Sequence, residues 1–113
     1  MLMTTQIPSR LTFVGSMRPG RTIEARWIVG HPMETGFRVD DAGRRILRNV
    51  ITQVRVSVNG KPILDLEPGT GMAANPFLAF PITIPEQGGS VAVEWLDDAG
   101  QRGSVQQLLL LEK

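Results

Sequence analysis

Apolar residues recur at every second position through several short segments of this chain, and that spacing sets the strongest limit on its fold. In residues 21–30 the set between the odd-numbered apolar positions is mainly polar, and those odd positions hold Ile23, Ala25, Trp27 and Val29. A period of two is the side-chain repeat of a half-buried β-strand. Twelve glycines and eight prolines are spread along the chain, so the strands should be short and separated by turns. No segment has a convincing helical period, and an all-β fold is predicted.

The alternation also predicts how some of these strands pair. Asn59-Gly60 favours a type I′ turn, because both residues readily adopt positive φ, so residues 50–58 and 62–66 should form a hairpin. Pro81 cannot donate a ladder hydrogen bond, so its strand should lie at the edge of a sheet. The predicted strands cover residues 11–14, 21–30, 50–58, 62–66, 78–84, 91–95 and 105–111.

About seven short antiparallel strands in a chain of 113 residues are typical of an immunoglobulin-like β-sandwich. An open five-stranded barrel is the alternative. The length suits one domain: we expect residues 1–9 to be a flexible N-terminal extension and residues 10–113 to be a single sandwich domain. The sequence Asp-Asp-Ala-Gly occurs at 40–43 and again at 97–100. It predicts two independent hairpin turns with solvated carboxylates.

The amino-acid composition excludes most kinds of catalytic, cofactor-binding and metal site. The chain has no cysteine and one histidine, His31, which excludes thiol nucleophiles, iron–sulfur clusters and multi-histidine metal sites. A serine hydrolase would need His31 as its base, and no serine lies in a Gly-x-Ser-x-Gly elbow. Residues 69–74 fit the dinucleotide pattern Gly-x-Gly-x-x-Ala, but Asn75-Pro76 would break the helix that must follow. No cofactor, metal or catalytic residue is predicted.

The charged residues favour a protein partner over a nucleic acid or a membrane. Residues 37–61 hold six basic and two acidic residues, whereas residues 62–113 hold two basic and seven acidic ones. The basic stretch has no accompanying helix or row of aromatic residues, which argues against nucleic acid. The longest apolar run, at 108–111, is far too short to cross a bilayer. Ten of the twelve basic residues are arginine, the cation that protein interfaces prefer.

Several short motifs, in order along the chain, resemble the SoxZ family of thiosulfate-oxidation carrier subunits. The most specific is the run His31-Pro32-Met33-Glu34-Thr35-Gly36, followed by Arg38, Asp40, Gly43 and Arg48. The remaining motifs are Asn59-Gly60-Lys61, Leu66-Glu67-Pro68, Ala74-Asn75-Pro76-Phe77 and Trp95-Asp97-Asp98-Gly100. The resemblance as a whole covers roughly residues 10–112.

The resemblance implies an immunoglobulin-like sandwich that is itself non-catalytic. Its expected partner in a heterodimer is SoxY, whose C-terminal arm carries sulfur intermediates on a cysteine, and the complex would meet other Sox enzymes indirectly. Another immunoglobulin-like protein-binding module is the alternative. Without its partner, the chain should expose an apolar surface and form homo-oligomers. Because residues 1–8 lack the pattern of a signal peptide, we expect a periplasmic location reached by co-export with the signal-bearing partner.

The residues that contact the partner are predicted from loop position and mixed polarity. Trp27 and Trp95 fall on the apolar side of their strands and are expected in the core. Capping of loops through side-chain hydrogen bonds is the alternative role for His31, Thr35 and Asn75. The candidate partner-binding residues are His31, Met33, Glu34, Arg38, Asn75 and Phe77.

Overall fold

The computed structural model describes residues 3–4 and 7–112, and within them the fold is all-β. Seven antiparallel strands are present, as the alternation predicts, together with a two-residue strand near the N-terminus. The strands are β1 (Met3–Thr4), β2 (Ser9–Val14), β3 (Thr22–Val29), β4 (Ile51–Val58), β5 (Lys61–Leu66), β6 (Phe77–Thr83), β7 (Gly89–Asp97) and β8 (Gln101–Leu109). The helical element of the described residues is a single 3₁₀ turn at Gly69–Gly71. Within the same residues, no helix has the length and apolar character needed to cross a membrane.

The strands form two sheets that pack as an immunoglobulin-like sandwich. One sheet has the order β1-β8-β7-β4-β5 and the other has the order β2-β3-β6. All pairings are antiparallel except that of β1 with β8, where Met3 lies beside Gln101. The predicted N-terminal extension therefore includes a short strand, while residues 1, 2, 5 and 6 of that extension lie outside the described residues.

Alternate residues of both sheets fill the core between them. Ile23, Ala25, Trp27 and Val29 are at most 4% exposed, which is the odd-numbered set that the sequence pattern assigns to the interior. Trp95 on β7 is buried with them, so the prediction for both tryptophans is confirmed. Burial of these apolar side chains is the dominant contribution to the stability of the fold.

The predicted hairpin between β4 and β5 is confirmed. Asn59 and Gly60 have φ of 51° and 81°, as a type I′ turn requires. The Asn59 side chain also ties this turn to the start of β7: its Oδ1 accepts a hydrogen bond from the Ser90 N–H at 2.9 Å, and its Nδ2 donates to the Gly88 carbonyl at 3.1 Å. The turn residue therefore serves both local and tertiary structure.

Three strands differ from the sequence prediction by two or more residues at an end, namely β2, β7 and β8. β6 pairs only with β3 and is a sheet edge, as expected for the strand that contains Pro81. β8 begins at Gln101, four residues before the predicted start, because polar residues and Gly103 pair with β7 without any apolar alternation. β7 extends beyond the predicted 91–95 at both ends for the same reason.

Both Asp-Asp-Ala-Gly sequences form tight turns, as predicted. The Gly43 N–H donates to the Asp40 carbonyl at 3.0 Å, and the Gly100 N–H donates to the Asp97 carbonyl at 3.2 Å. In each turn the Oδ1 of the first aspartate accepts two backbone N–H groups, two and four residues later, at 2.9–3.0 Å. The expectation of solvated carboxylates holds for Asp40, which is exposed, but it is wrong for Asp97, which is 3% exposed.

Candidate functional site

The predicted partner-binding residues all lie at one end of the sandwich. At this end β3 finishes at Val29, β4 starts at Ile51, β6 starts at Phe77 and β7 finishes at Asp97. The connection between β3 and β4 contains His31, Met33, Glu34 and Arg38; the connection into β6 contains Asn75, and Phe77 is the first residue of that strand. We call this the loop end of the molecule.

His31 is fully buried and joins two loops. The Met33 backbone N–H donates to His31 Nδ1 at 3.0 Å. Since an N–H can meet only an unprotonated ring nitrogen, the proton sits on Nε2, which donates to Asp97 Oδ2 at 2.9 Å. The ring also lies edge-on to Trp95, with centroids 5.6 Å apart. Every polar atom of the imidazole is thus engaged, and the loop hydrogen-bonding role considered for His31 is the one the geometry shows.

Two residues near His31 have left-handed backbone conformations that shape the loop end. Met33 has φ of 51°, is 5% exposed, and accepts the Ile51 N–H at its Sδ at 3.4 Å. Asn75 has φ of 53°, and its N–H donates to the His31 carbonyl at 2.7 Å. Its exposed side chain points away from the core. The buried side chains of His31 and Met33 therefore organise this end from inside.

Glu34 and Arg38 form an ion pair on the surface of the same connection. The Arg38 guanidinium donates from Nε to Glu34 Oε2 at 3.1 Å, with a second bond from Nη2 to Oε1. These bonds lower the pKa of the Glu34 carboxyl from its ordinary value and raise that of Arg38. The side chain of Arg38 is 67% exposed, against 16% for Glu34, so Arg38 presents its outer face to solvent while it stays fixed by the pair.

Phe77 lies on the outer face of the three-stranded sheet. It is 56% exposed and is paired across the strands with Ile28, which is 45% exposed. This apolar pair adjoins the loop end, and neither residue contributes to the interior. Among the predicted residues, Arg38, Asn75 and Phe77 are thus exposed, whereas His31 and Met33 are buried.

Three exposed apolar residues of the same connection were not among those predicted from the sequence. Phe37, Val39 and Leu47 are 82%, 59% and 84% exposed. Phe37 and Leu47 are the two most exposed large apolar side chains in the described part of the chain. The sequence does place apolar residues on both sides of the turn at Asp40–Gly43, which could have indicated an exposed hairpin. Without a clear strand alternation there, no strands were predicted on either side of that turn.

The imidazole of His31 is not placed to act as a general base. His31 has no solvent-accessible surface, and neither of its hydrogen bonds goes to a serine hydroxyl. A general base must reach the proton that it abstracts, and this one is enclosed. Within residues 3–4 and 7–112, no group of three or more metal-ligating side chains comes together.

The fold is shared with solved structures at low sequence identity. A superoxide reductase from Nanoarchaeum equitans is 14% identical, with a TM-score of 0.63 over 96% of this chain and 99% of that one. A variant of the superoxide reductase (neelaredoxin) from Ignicoccus hospitalis is 13% identical, with a TM-score of 0.66 over 94% and 81% of the two chains. A hypothetical protein from Pyrococcus horikoshii has a TM-score of 0.60 at 11% identity over 90% and 87%. At these identities the likeness concerns the fold alone.

The fold is that of a small immunoglobulin-like sandwich, and hydrogen bonds of buried His31 hold the loops together at one end of it. The sequence profile of the family described as "Sulphur oxidation protein SoxZ" matches residues 13–107. The chain therefore belongs to the SoxZ family and has a role in sulfur oxidation. Among curated proteins, no sequence matches this chain.

Proposed function

We propose that this chain is the non-catalytic subunit of a SoxYZ sulfur carrier. It forms a heterodimer with SoxY and supports that subunit, whose C-terminal cysteine carries the sulfur intermediates of thiosulfate oxidation. The observation that carries the proposal is the family match over residues 13–107 of a 113-residue chain. In this role the sandwich supplies a rigid surface, while the chemistry takes place on the partner's thiol and in the enzymes that visit it.

The structure of the loop end supports a scaffold role. The one histidine is buried and bonded on both ring nitrogens, so it joins two loops of the scaffold. The absence of cysteine from the chain suits a carrier complex with a single reactive thiol, since a second thiol nearby could take up the sulfur cargo by exchange.

Co-expression of this chain with SoxY, followed by size-exclusion chromatography, tests the heterodimer. A one-to-one complex is expected, and it should persist when the SoxY cysteine is replaced by serine, because the proposed contact does not use the thiol. Separate elution of the two chains at micromolar concentration would rule out the heterodimer.

The proposed cellular location is the periplasm, reached together with the partner. Expression with SoxY that lacks its signal peptide should abolish the periplasmic pool of this chain, while full-length SoxY restores it. Appearance of this chain in the periplasm without SoxY would contradict co-export.

A further inference from the structure

The connection between β3 and β4 forms a braced two-stranded arm over residues 34–49. Glu34 and Asn49 pair through two backbone hydrogen bonds of 2.8 and 2.7 Å at its base. Nearer the tip, the Ile46 N–H donates to the Arg38 carbonyl at 2.9 Å. Every residue from 37 to 45 is exposed, so this part of the arm stands clear of the sandwich.

Tertiary contacts hold the base of the arm in place. The Arg48 guanidinium donates from Nε to Asp98 Oδ2 at 2.9 Å, and the same oxygen accepts the Val50 N–H at 3.2 Å. Gly36 has φ of 93°, and a Cβ there would lie 3.3 Å from the Arg48 Cβ, so the two strands of the arm approach closely at this point. An isolated two-stranded hairpin is marginal in water, and these contacts supply the support that the arm lacks on its own.

The pairing register places the exposed apolar residues on one face of the arm. Val39 and Arg45 are directly opposite each other, and side chains on a strand alternate between faces. The Glu34–Asn49 pair at the base is shifted by one residue relative to this register. The Ile46 N–H bond to the Arg38 carbonyl continues the Val39–Arg45 register, so Phe37 shares the face of Val39 and Leu47 shares the face of Arg45. A two-stranded ribbon cannot bury such a face against itself, and nothing in the described part of the chain covers it.

We propose that this face of the arm is the docking surface for the partner subunit, which receives it in an apolar groove with a carboxylate at its rim. The inference rests on the proposed heterodimer and adds the surface through which it forms. Exposed aromatic and arginine side chains on a rigid element are the usual centre of a protein interface. Within residues 3–4 and 7–112, Arg44 and Arg45 have no ion-pair partner, so the rim of the groove should supply one.

Charge makes a second copy of this chain a weaker occupant of this face than the partner, although homo-oligomers are expected of the isolated chain. In a two-fold symmetric contact the same surface meets itself, which would bring Arg45 of each copy into one apolar interface. Like charges placed together in this way oppose association. A partner with carboxylates beside an apolar groove removes that conflict.

The test compares variants of the arm with matched variants elsewhere, using the full chain and SoxY. We expect the Phe37→Ala and Leu47→Ala double variant to bind SoxY at least about 30-fold more weakly. The matched control replaces Ile63 and Leu110, which are 44% and 69% exposed and lie outside the arm, and its affinity should change less than about threefold. All four side chains are at the surface, so the thermal midpoint of each variant should match that of the wild type.

The charged component has its own comparison. Arg45→Glu should slow association with SoxY and reduce the salt dependence of the association rate. Arg21→Glu, at an exposed position at the other end of the sandwich, should change neither.

If wild-type chain binds SoxY and both arm variants bind equally well, the proposed docking surface is wrong while the proposed heterodimer stands. If wild-type chain does not bind SoxY, the proposed function fails, and the docking surface fails with it. If the arm variants abolish self-association but leave SoxY binding intact, the occupant is a second copy and the proposal is overturned.

Discussion

Replacement of His31 by alanine should be among the most destabilising single changes in this protein. The substitution removes a fully buried ring that donates to Asp97 at 2.9 Å and accepts the Met33 N–H at 3.0 Å. It leaves one buried carboxylate oxygen and one buried N–H without a partner, and it opens a cavity beside Trp95. The backbone bonds to Asp97 Oδ1 remain, so the turn itself should survive.

The expected loss is about 3–5 kcal/mol, the range found when one member of a buried pair is removed. Against a total stability of about 5–15 kcal/mol for a typical domain, such a loss leaves a fold that is marginal at 37 °C. Urea denaturation followed by tryptophan fluorescence measures it, since both tryptophans are buried.

The repeated turn sequence provides a matched control for the partner of His31. Asp97→Ala and Asp40→Ala each remove an aspartate that accepts two turn N–H groups, but only Asp97 also meets His31. Asp40→Ala should therefore cost about 1 kcal/mol, and Asp97→Ala several times more. The His31→Ala and Asp97→Ala double variant should be at least about 1 kcal/mol more stable than the sum of the single effects predicts. Additive effects, or a loss below about 1 kcal/mol for His31→Ala, would refute the coupling inferred from the geometry.

Three further changes test packing, a turn and a surface charge. Gly103→Ala would place a Cβ 2.8 Å from the Trp95 ring, and the free energy of unfolding measured in urea should fall by about 1–3 kcal/mol. Gly71→Ala is the control: a Cβ there has no neighbour within 4 Å, and the free energy of unfolding should change by less than about 0.5 kcal/mol. Asn59→Ala removes two hydrogen bonds and a residue suited to positive φ; a loss of about 1–3 kcal/mol is expected, and an unchanged urea midpoint would contradict the role of this turn. Hydrogen bonds to the Glu112 carboxylate, chiefly from the backbone at Met17, lower its pKa below the ordinary 4.5. Its stabilisation is therefore present above that value and lost as pH falls through the lower folded pKa. Glu112→Gln should flatten the acid end of a stability–pH profile, and an unchanged slope would contradict a stabilising role for these hydrogen bonds.

Local patterns predicted most of the strands because each depends on neighbours a few residues away. The alternation in residues 21–30 and the Asn59-Gly60 turn each specify backbone geometry without reference to the rest of the chain. The first four residues of β8 were not predicted because they are held by hydrogen bonds to β7, and no apolar repeat marks them.

The burial of the candidate-site residues could not be predicted from the sequence, since these residues are close to one another only in the folded chain. The sequence singled out the His31–Gly36 run but could not assign its members to the interior or the surface. The structure buries His31 and Met33 and exposes Arg38. It also shows the apolar face formed by Phe37, Val39 and Leu47, which depends on the register of two strands that the sequence pattern did not reveal. Whether these residues contact a partner stays a prediction.

The two Asp-Asp-Ala-Gly turns have the same local geometry, but their first aspartates differ in exposure. Both aspartates accept the same pair of backbone N–H groups, because an aspartate at the start of a turn reaches those groups whatever surrounds it. Asp40 is exposed to water at the tip of the arm. Asp97 is buried, and its second carboxylate oxygen is hydrogen-bonded by His31, which lies 66 positions earlier in the sequence. The shape of each turn is a local property, but the burial of its charge depends on a partner that only the packing of the two sheets brings within reach.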